Sequence, residues 1–595
     1  MLSKRQITKL HPEVYSYISY SKLFPKVTPS FEYFKNQLEK FDLVETILVL
    51  SKLNLLMSGR KYVANQSFQQ YLYKYFLNDY HRDRILSLLK REGDIYFLFH
   101  RHQLLFLLKN IFLYSRRLPG INFKIPTVVE RFGKCSLLAN DFLALLSVKN
   151  EDLKKSDKEE RREILWKELL PSYEINIPSS LMFDIGRIRM FFKKILPKLC
   201  EDQTYINIDM KFQRYSGFSL DDFMFIIFAI LALYLIRRDS IISNPQAILI
   251  DVENFTRHSD ISSEKILKLL NLISIPIEQY KDEILKSKDV DLNYGFLPFK
   301  QYPLVRIYEG EYFCLDFNFL LDKISNGIFW LINNNLPTSE REKFHTFWGK
   351  IFESYLIYFF KKTKLLKKNR FIPRPFFDNS ENEVADGILN FGEDLVLFEY
   401  KFTILTQEAK YSGSKDELVD EIKIKFEKNQ KGEWKGYGQL ANNINKLFSK
   451  DSSFSCKYIN KEKMKRIYPV LITYEHIFNA PFTNHFLNKY FQNLIDFPSI
   501  DEHIEIKPLV VFTVEDFEAA QPFLNDFSRL IQERLDFDGE LDLSFSDFLK
   551  KKYEDNKSLS PELIRNEYRK YGEEVTRTFF PDKKTKLPPY DNDSI

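Results

Sequence analysis

Through Phe68–Arg91 (FQQYLYKYFLNDYHRDRILSLLKR) apolar residues recur three and four positions apart, the spacing of one helix face. Gln103–Tyr114 and Leu181–Leu199 repeat the pattern, as does Ser263–Ile273, which a serine cap opens and Pro276 follows. Phe223–Ile236 (FMFIIFAILALYLI) is apolar on every side. It is shorter than the roughly 20 residues that a bilayer span needs. Asp221 and Asp222 precede it and Arg237 and Arg238 follow it, which suits the helix dipole. The pattern predicts a buried core helix rather than a membrane anchor. Residues 1 to about 330 thus read as mostly helical, with no repeat of fixed period. Near their end, VRIYEGEYFCLDFNFLLDKI predicts a hairpin turning at Glu309-Gly310 and then a helix.

The pattern changes at Asn333-Asn334-Asn335-Leu336-Pro337, a polar run with proline that reads as a boundary. Ser339 and Glu342 suggest a capping box for a helix from Glu340 to about Lys362. Extended segments follow at Val384–Asn390, Leu395–Phe402, Tyr468–Thr473 and Pro508–Thr513. A polar insertion and a helix, Tyr437–Phe448, separate the second from the third. The expected fold is multidomain. A helical recognition or regulatory region spans residues 1–332, with two subdomains allowed. An α/β domain with a mixed central sheet spans 338–550, and a C-terminal helix and disordered tail span 551–595.

Composition narrows the class. With 87 basic and 82 acidic residues the net charge is only +5, so any nucleic-acid footprint must be a local patch. The four cysteines form no C-x-x-C pair and have no histidine at zinc-ligand spacing, which points to a reducing cytoplasm. The first residues, MLSKRQITKLHPEVYSY, lack the apolar core of a signal peptide. No phosphate-binding loop or dinucleotide fingerprint occurs. The nine histidines support no Ser/His/Asp or Cys/His arrangement, and His100 with His102 makes a poor metal pair.

One stretch carries candidate chemistry: Glu383–Lys401, EVADGILNFGEDLVLFEYK. Phe391-Gly392-Glu393-Asp394 is a turn between two apolar runs, so the stretch predicts a hairpin. In the second strand Leu395, Leu397, Glu399 and Lys401 share one face, and Val396, Phe398 and Tyr400 the other. Pairing across the hairpin brings Asp386 near Glu399. Two carboxylates converging with backbone oxygen suit Mg²⁺, which can activate water and offset charge on a phosphate. A lysine beside them can orient or deprotonate that water. The bland alternative is an ion pair at a strand end, worth about 0 to 1 kcal/mol if exposed.

Asp386 with Glu399-Tyr400-Lys401 resembles the PD-(D/E)xK nuclease superfamily, the restriction-endonuclease-like fold. The resemblance covers about residues 338–515. Members often carry a glutamate on the helix before the hairpin, and Trp348-Gly349-Lys350-Ile351-Phe352-Glu353 supplies one. Gly349, a turn before Glu353, is expected to let that helix sit close to the sheet. Many members carry a glutamine on the helix after the lysine strand, here in Gly436-Tyr437-Gly438-Gln439-Leu440. The chain departs from the family in having Ala385 before Asp386 and in the insertion Thr406–Lys435. The resemblance implies that Glu353, Asp386 and Glu399 hold Mg²⁺ or Mn²⁺, that Lys401 serves the water and that Gln439 supports the site. Lys361 and Lys362, with Lys364, Lys367, Lys368 and Arg370, form a basic run that can hold nucleic-acid phosphates or simply suit a helix end.

It further implies a cytoplasmic endonuclease cutting DNA ahead of RNA, and by analogy alone a bacterial restriction or anti-phage effector. The helical region would bind nucleic acid, bind a regulatory protein or a second copy of the chain, or restrain the nuclease. Two alternatives stand beside this reading: a non-catalytic nucleic-acid- or protein-binding scaffold, and an RNase effector.

Overall fold

The structure, a computed structural model, describes residues 16–58, 66–92, 96–117, 126–143, 157–176, 180–243, 245–257, 259, 261–286, 294–363, 370–406, 409–410, 415–553 and 561–580. The helices used below are α1 (Arg101–Tyr114), α2 (Lys158–Asn176), α3 (Leu181–Met190) and α4 (Leu220–Ser243), followed by α5 (Phe317–Asp322) and α6 (Asn326–Asn335). Helix α4 contains the apolar run, and its residues Phe223 to Tyr234 are almost all buried in the core. An all-round apolar helix belongs in a protein core or a membrane, and here the core takes it. Among the described residues no single helix is long and apolar enough to cross a membrane.

Between α4 and α5 the helical region carries a four-stranded mixed sheet that the sequence reading did not anticipate. Its strands are β1 (Leu249–Asp251), β2 (Ser274–Pro276), β3 (Leu304–Tyr308) and β4 (Glu311–Cys314), in the order β1-β4-β3-β2. The β3–β4 hairpin turns through Gly310 at φ 82°, as expected. Strands β1 and β2 have three residues each, too few to establish a period of two. The segment Phe68–Arg91 is helical as its spacing indicates, in two helices, Gln66–Phe76 and Asp79–Glu92.

The second half begins with α7 (Thr338–Lys362). The expected capping box of Ser339 and Glu342 is absent: Pro337 precedes the helix, no side chain caps it, and Glu342 lies 3.5 Å from Lys431. The large sheet contains β5 (Phe371–Pro373), β6 (Gly387–Asn390), β7 (Asp394–Lys401), β8 (Arg466–Thr473), β9 (Glu505–Ile506) and β10 (Val510–Thr513). The order is β5-β6-β7-β8-β9, with β10 pairing β8. Strands β5, β6 and β7 are antiparallel, and β8 runs parallel to β7, β9 and β10. The sheet is mixed, as expected.

Alternation along the strands gives the sheet two apolar faces. Val396, Phe398, Val470, Ile472 and Phe512 join a large core that runs from Ile18 to Phe579 and includes α7. Leu395, Leu397, Ile467, Leu471 and Val511 join a second core beneath α8 (Lys415–Phe426), α9 (Gly436–Phe448) and α10 (Thr483–Gln492). Helix α8 lies inside the segment that reads as a polar insertion. Leu418, Ile422 and Phe426, one turn apart, bury its inner face.

The expected boundary at Asn333–Pro337 is a tight turn between α6 and α7, with Leu336 buried, and the large core continues across it. His345 Nε2 donates to Asn333 Oδ1 at 2.7 Å, which accounts for one of the three asparagines. Helix α2 belongs by sequence to the first region, yet its Trp166 stacks on Phe486 of α10 and donates to Thr483. After α11 (Phe527–Phe537) and α12 (Phe545–Tyr553), the last described helix, α13 (Glu562–Phe579), returns to pack on α3. The segment 581–595, read as a disordered tail, lies outside the described residues. Gly186 of α3 makes the close approach possible: a Cβ there would stand 2.7 Å from Ile564 Cγ2 and 2.8 Å from its carbonyl oxygen. Gly186→Ala should therefore destabilise the protein by about 1–3 kcal/mol through overpacking. A denaturant titration with an unshifted midpoint would show that the two helices part freely.

Candidate active site

The hairpin has the expected turn, with Gly392 at φ 95° and Phe391 N–H donating to the Asp394 carbonyl. Its register pairs Gly387 with Phe398, which leaves Asp386 at the end of the ladder, close enough for its charge to act on Glu399. Asp386 N–H donates to the Phe398 carbonyl at 3.0 Å, and Tyr400 N–H donates to Asp386 Oδ2 at 2.6 Å. The carboxylate of Asp386 is thus fixed by the backbone of the strand that carries Glu399. Glu399 shares a face with Leu395 and Leu397 and is fully buried. Lys401, two residues on, brings Nζ to 2.6 Å from Glu399 Oε1 as an ion pair. Apart from that pair, the Glu399 oxygens have no hydrogen-bond partner.

Electrostatics follow from this crowding. Burial, and then the charge of Asp386, push the Glu399 carboxyl up to about 8, against the opposing Lys401 ammonium. Burial also raises Asp386, with Lys401 opposing. Burial works to depress the Lys401 ammonium, but Glu399 and Asp386 outweigh it and hold that group above its usual value. Glu353 is raised to about 7, by burial first and Asp386 second.

The raised carboxyls predict a pH dependence of stability. Glu399 keeps a proton in the folded chain that the unfolded chain releases near 4.5. Its stabilising contribution is complete below that value and disappears as pH rises through about 8. The melting temperature should fall across this window, and Glu399→Gln should flatten the fall. Parallel slopes in thermal melts of the two proteins would refute the link.

Glu353 reaches the site from the other layer. Helix α7 packs on the Val396 and Phe398 face, whereas Glu399 points with the opposite face. Glu353 meets Asp386 through charge and touches Arg374, whose Nε lies 3.3 Å from Glu353 Oε1. Arg374 also pairs with Glu383 at 2.6 Å, and its N–H donates to the Asp386 carbonyl at 3.0 Å. Its φ is 48°, a left-handed conformation that costs a non-glycine residue about 1 kcal/mol and tends to be retained at functional sites. Neither Arg374 nor Glu383 was singled out from the sequence, where the only local cue was the turn-forming Arg374-Pro375 pair. Gly349 does not serve close packing, since a Cβ there would meet nothing within 4 Å.

Gln439 lies half-buried in the first turn of α9, which covers the Glu399 face. The glycines before it have a packing reason: a Cβ on Gly438 would stand 2.3 Å from the Glu427 carbonyl oxygen. Lys361 and Lys362 are exposed at the end of α7, while Lys364, Lys367 and Lys368 lie outside the described residues. Arg370 is anchored within the fold, donating to the Asn525 carbonyl at 2.7 Å and lying over the Phe391 ring. His100 caps α1 and contacts Asn140 at 3.1 Å.

The chain matches no family model, no curated protein and no solved structure. The site must be argued from its own chemistry. It gathers Asp386, Glu399 and Lys401 at one end of β7, with Glu353, Arg374 and Glu383 beside them. Among the described residues no group of three or more His, Cys, Asp or Glu side chains converges as a ready metal cage.

Proposed function

We propose that this chain is a metal-dependent phosphodiester hydrolase, an endonuclease with DNA as its preferred substrate. The observation that carries the reading is Glu399, a fully buried carboxylate near Asp386 whose partner is the Lys401 ammonium on Oε1 and whose Oε2 accepts no hydrogen bond. Burying such a group is costly unless something compensates its charge. Glu399 Oε2, which has no partner, and the Asp386 carboxylate fit a hard divalent cation. Bound there, Mg²⁺ or Mn²⁺ would supply charge neutralisation at a phosphate and acidify a water.

The chain's own residues do the rest. Asp386 is held in place by Tyr400 N–H, so its position does not depend on ligand. Lys401 keeps a full positive charge beside the carboxylates and can orient the attacking water or steady charge growing on the phosphate. Arg374, nearly half exposed, is the cation best placed to meet a substrate phosphate once it leaves Glu353. The arrangement of α7 with Glu353, the hairpin, α9 with Gln439 and then β8 follows the order on which the restriction-endonuclease-like resemblance rests. The helical region is the recognition or restraining part.

One observation favours a second reading, a non-catalytic binding scaffold. Arg374 and Lys401 already offset Glu353 and Glu399, and no three carboxylates converge among the described residues. Purified protein incubated with plasmid, linear and single-stranded DNA and with RNA, in Mg²⁺, Mn²⁺ or EDTA, separates the two. Cutting that requires the metal and stops in EDTA is expected. Binding without cutting under every condition would transfer the assignment to the scaffold.

A further inference from the structure

Charge is divided unevenly along the chain. Residues 1–143 carry 22 basic and 11 acidic side chains, whereas residues 144–595 carry 65 and 71. The positive charge that a nucleic-acid footprint needs is concentrated in the first quarter. Four helices meet there. The short helix Tyr20–Leu23 packs against both Asp79–Glu92 and Pro126–Phe142, and Phe31–Leu38 lies on Pro126–Phe142.

Side chains from these helices, with Phe24 just beyond the first, form a row in which rings and cations alternate. The Tyr80 and Phe24 rings lie 5.9 Å apart, and the Arg84 guanidinium stands 5.2 and 4.6 Å from their centres. Tyr20 continues the row 4.7 Å from Phe24. Lys134 Nζ lies 5.7 Å from the Tyr20 centre and 5.2 Å from that of Tyr33, and it donates to the Tyr33 hydroxyl at 2.6 Å. Tyr80 is 58% exposed and Tyr33 39%. Arg84 donates to the Leu23 carbonyl at 2.7 Å, and neither it nor Lys134 is paired with a carboxylate among the described residues. Of the acids on the same helices, Asp79 and Glu32 are paired with Arg82 and Lys35, and Asp83 is exposed.

These features select among partners. Cations without carboxylate partners beside exposed rings suit a chain that carries phosphates and flat bases together. A duplex would offer the phosphates alone, since its bases are already stacked on one another. An anionic membrane would need an outward apolar helix face, whereas the exposed rings of the row are tyrosines. An acidic peptide would use the cations and leave the rings without a purpose.

We propose that this row binds single-stranded nucleic acid, with Tyr80 and Tyr33 as stacking platforms and Arg84 and Lys134 as phosphate contacts. The N-terminal helices are then the recognition part of the chain. The assignment does not rest on the phosphodiesterase reading, because a non-catalytic scaffold would bind in the same way.

The test is fluorescence anisotropy of the full chain in EDTA with labelled oligo-dT and oligo-rU of about 20 nucleotides, a duplex of equal length and labelled poly-glutamate as a plain polyanion. Phosphatidylserine vesicles, read by co-sedimentation, cover the membrane. At least one of the two single strands should bind, about ten-fold or more tighter than the duplex or poly-glutamate. Preference for one sugar identifies DNA or RNA as the occupant, and either supports the row. Tyr80→Ala and Tyr33→Ala should each weaken binding at least about five-fold with little change in melting temperature, and Tyr80→Phe, which keeps the ring, should bind as the parent does. Arg84→Gln keeps a donor for the Leu23 carbonyl and should flatten the slope of log affinity against log salt by about 0.7. The proposal falls if neither single strand binds, if the duplex, poly-glutamate or the vesicles bind as well as the strands do, or if both alanine variants bind as the parent does.

Discussion

Asp386→Asn should reduce metal-dependent cleavage by about a thousand-fold or more while leaving the fold intact. The substitution is chosen for its geometry. An asparagine oxygen can still accept from Tyr400 N–H, so the 2.6 Å bond that fixes the side chain survives and only the charge is lost. Alanine would strand that buried donor at a cost of about 1–3 kcal/mol and confuse the result. Loss of the Asp386 charge should also let the Glu399 carboxyl fall from about 8 towards its ordinary value, because Asp386 is the second cause of its rise. A thermal-shift titration adds a readout without substrate. Mg²⁺ at about a hundred times its dissociation constant should stabilise the parent by about 2.7 kcal/mol at pH 8 and the variant far less. Undiminished cutting by Asp386→Asn would remove the carboxylate pair from the mechanism.

Lys401→Met should lower turnover by about a hundred- to ten-thousand-fold and change substrate affinity little, because the ammonium stands among carboxylates rather than along an open surface. Removing one partner of a buried ion pair ordinarily costs about 3–5 kcal/mol. Here the penalty is softened, since Glu399 titrates near 8 and can become neutral. Without the lysine that carboxyl should rise further, so residual activity should peak at higher pH than in the parent. A rate profile with the same pH optimum and the same turnover would show that Lys401 is only a strand-end ion pair. Equal losses in affinity and turnover would make it a phosphate contact.

The hairpin was legible because its information is local. A period of two, a glycine at the turn and a register fixed by a short loop bring Asp386 to the end of the ladder beside Tyr400 and put Lys401 on the same side as Glu399. The side of the sheet from which Glu353 arrives was not legible, because it depends on how α7 packs over Val396 and Phe398. Arg374 and Glu383 stand in irregular chain and meet only through a positive φ and the pairing of β5 with β6. Helix α8 was hidden by the charged residues of KDELVDEIKIKF, although its three apolar residues at single-turn spacing were there to be read. The polar run at Asn333–Pro337 misled because a helix end and a linker share the same composition. Continuity of the core across it depends on contacts distant in sequence.

The return of α13 to α3 has a temporal consequence. Arg189 meets Glu574, 385 positions later in the chain. During synthesis at about 5–20 residues per second, the face of α3 that α13 covers waits tens of seconds for its partner to be made. Until then the growing chain displays an apolar surface that the finished one conceals. Chaperone engagement should therefore persist until α13 has left the ribosome, and a stop codon shortly before Glu562 should yield a product that aggregates rather than a smaller folded protein.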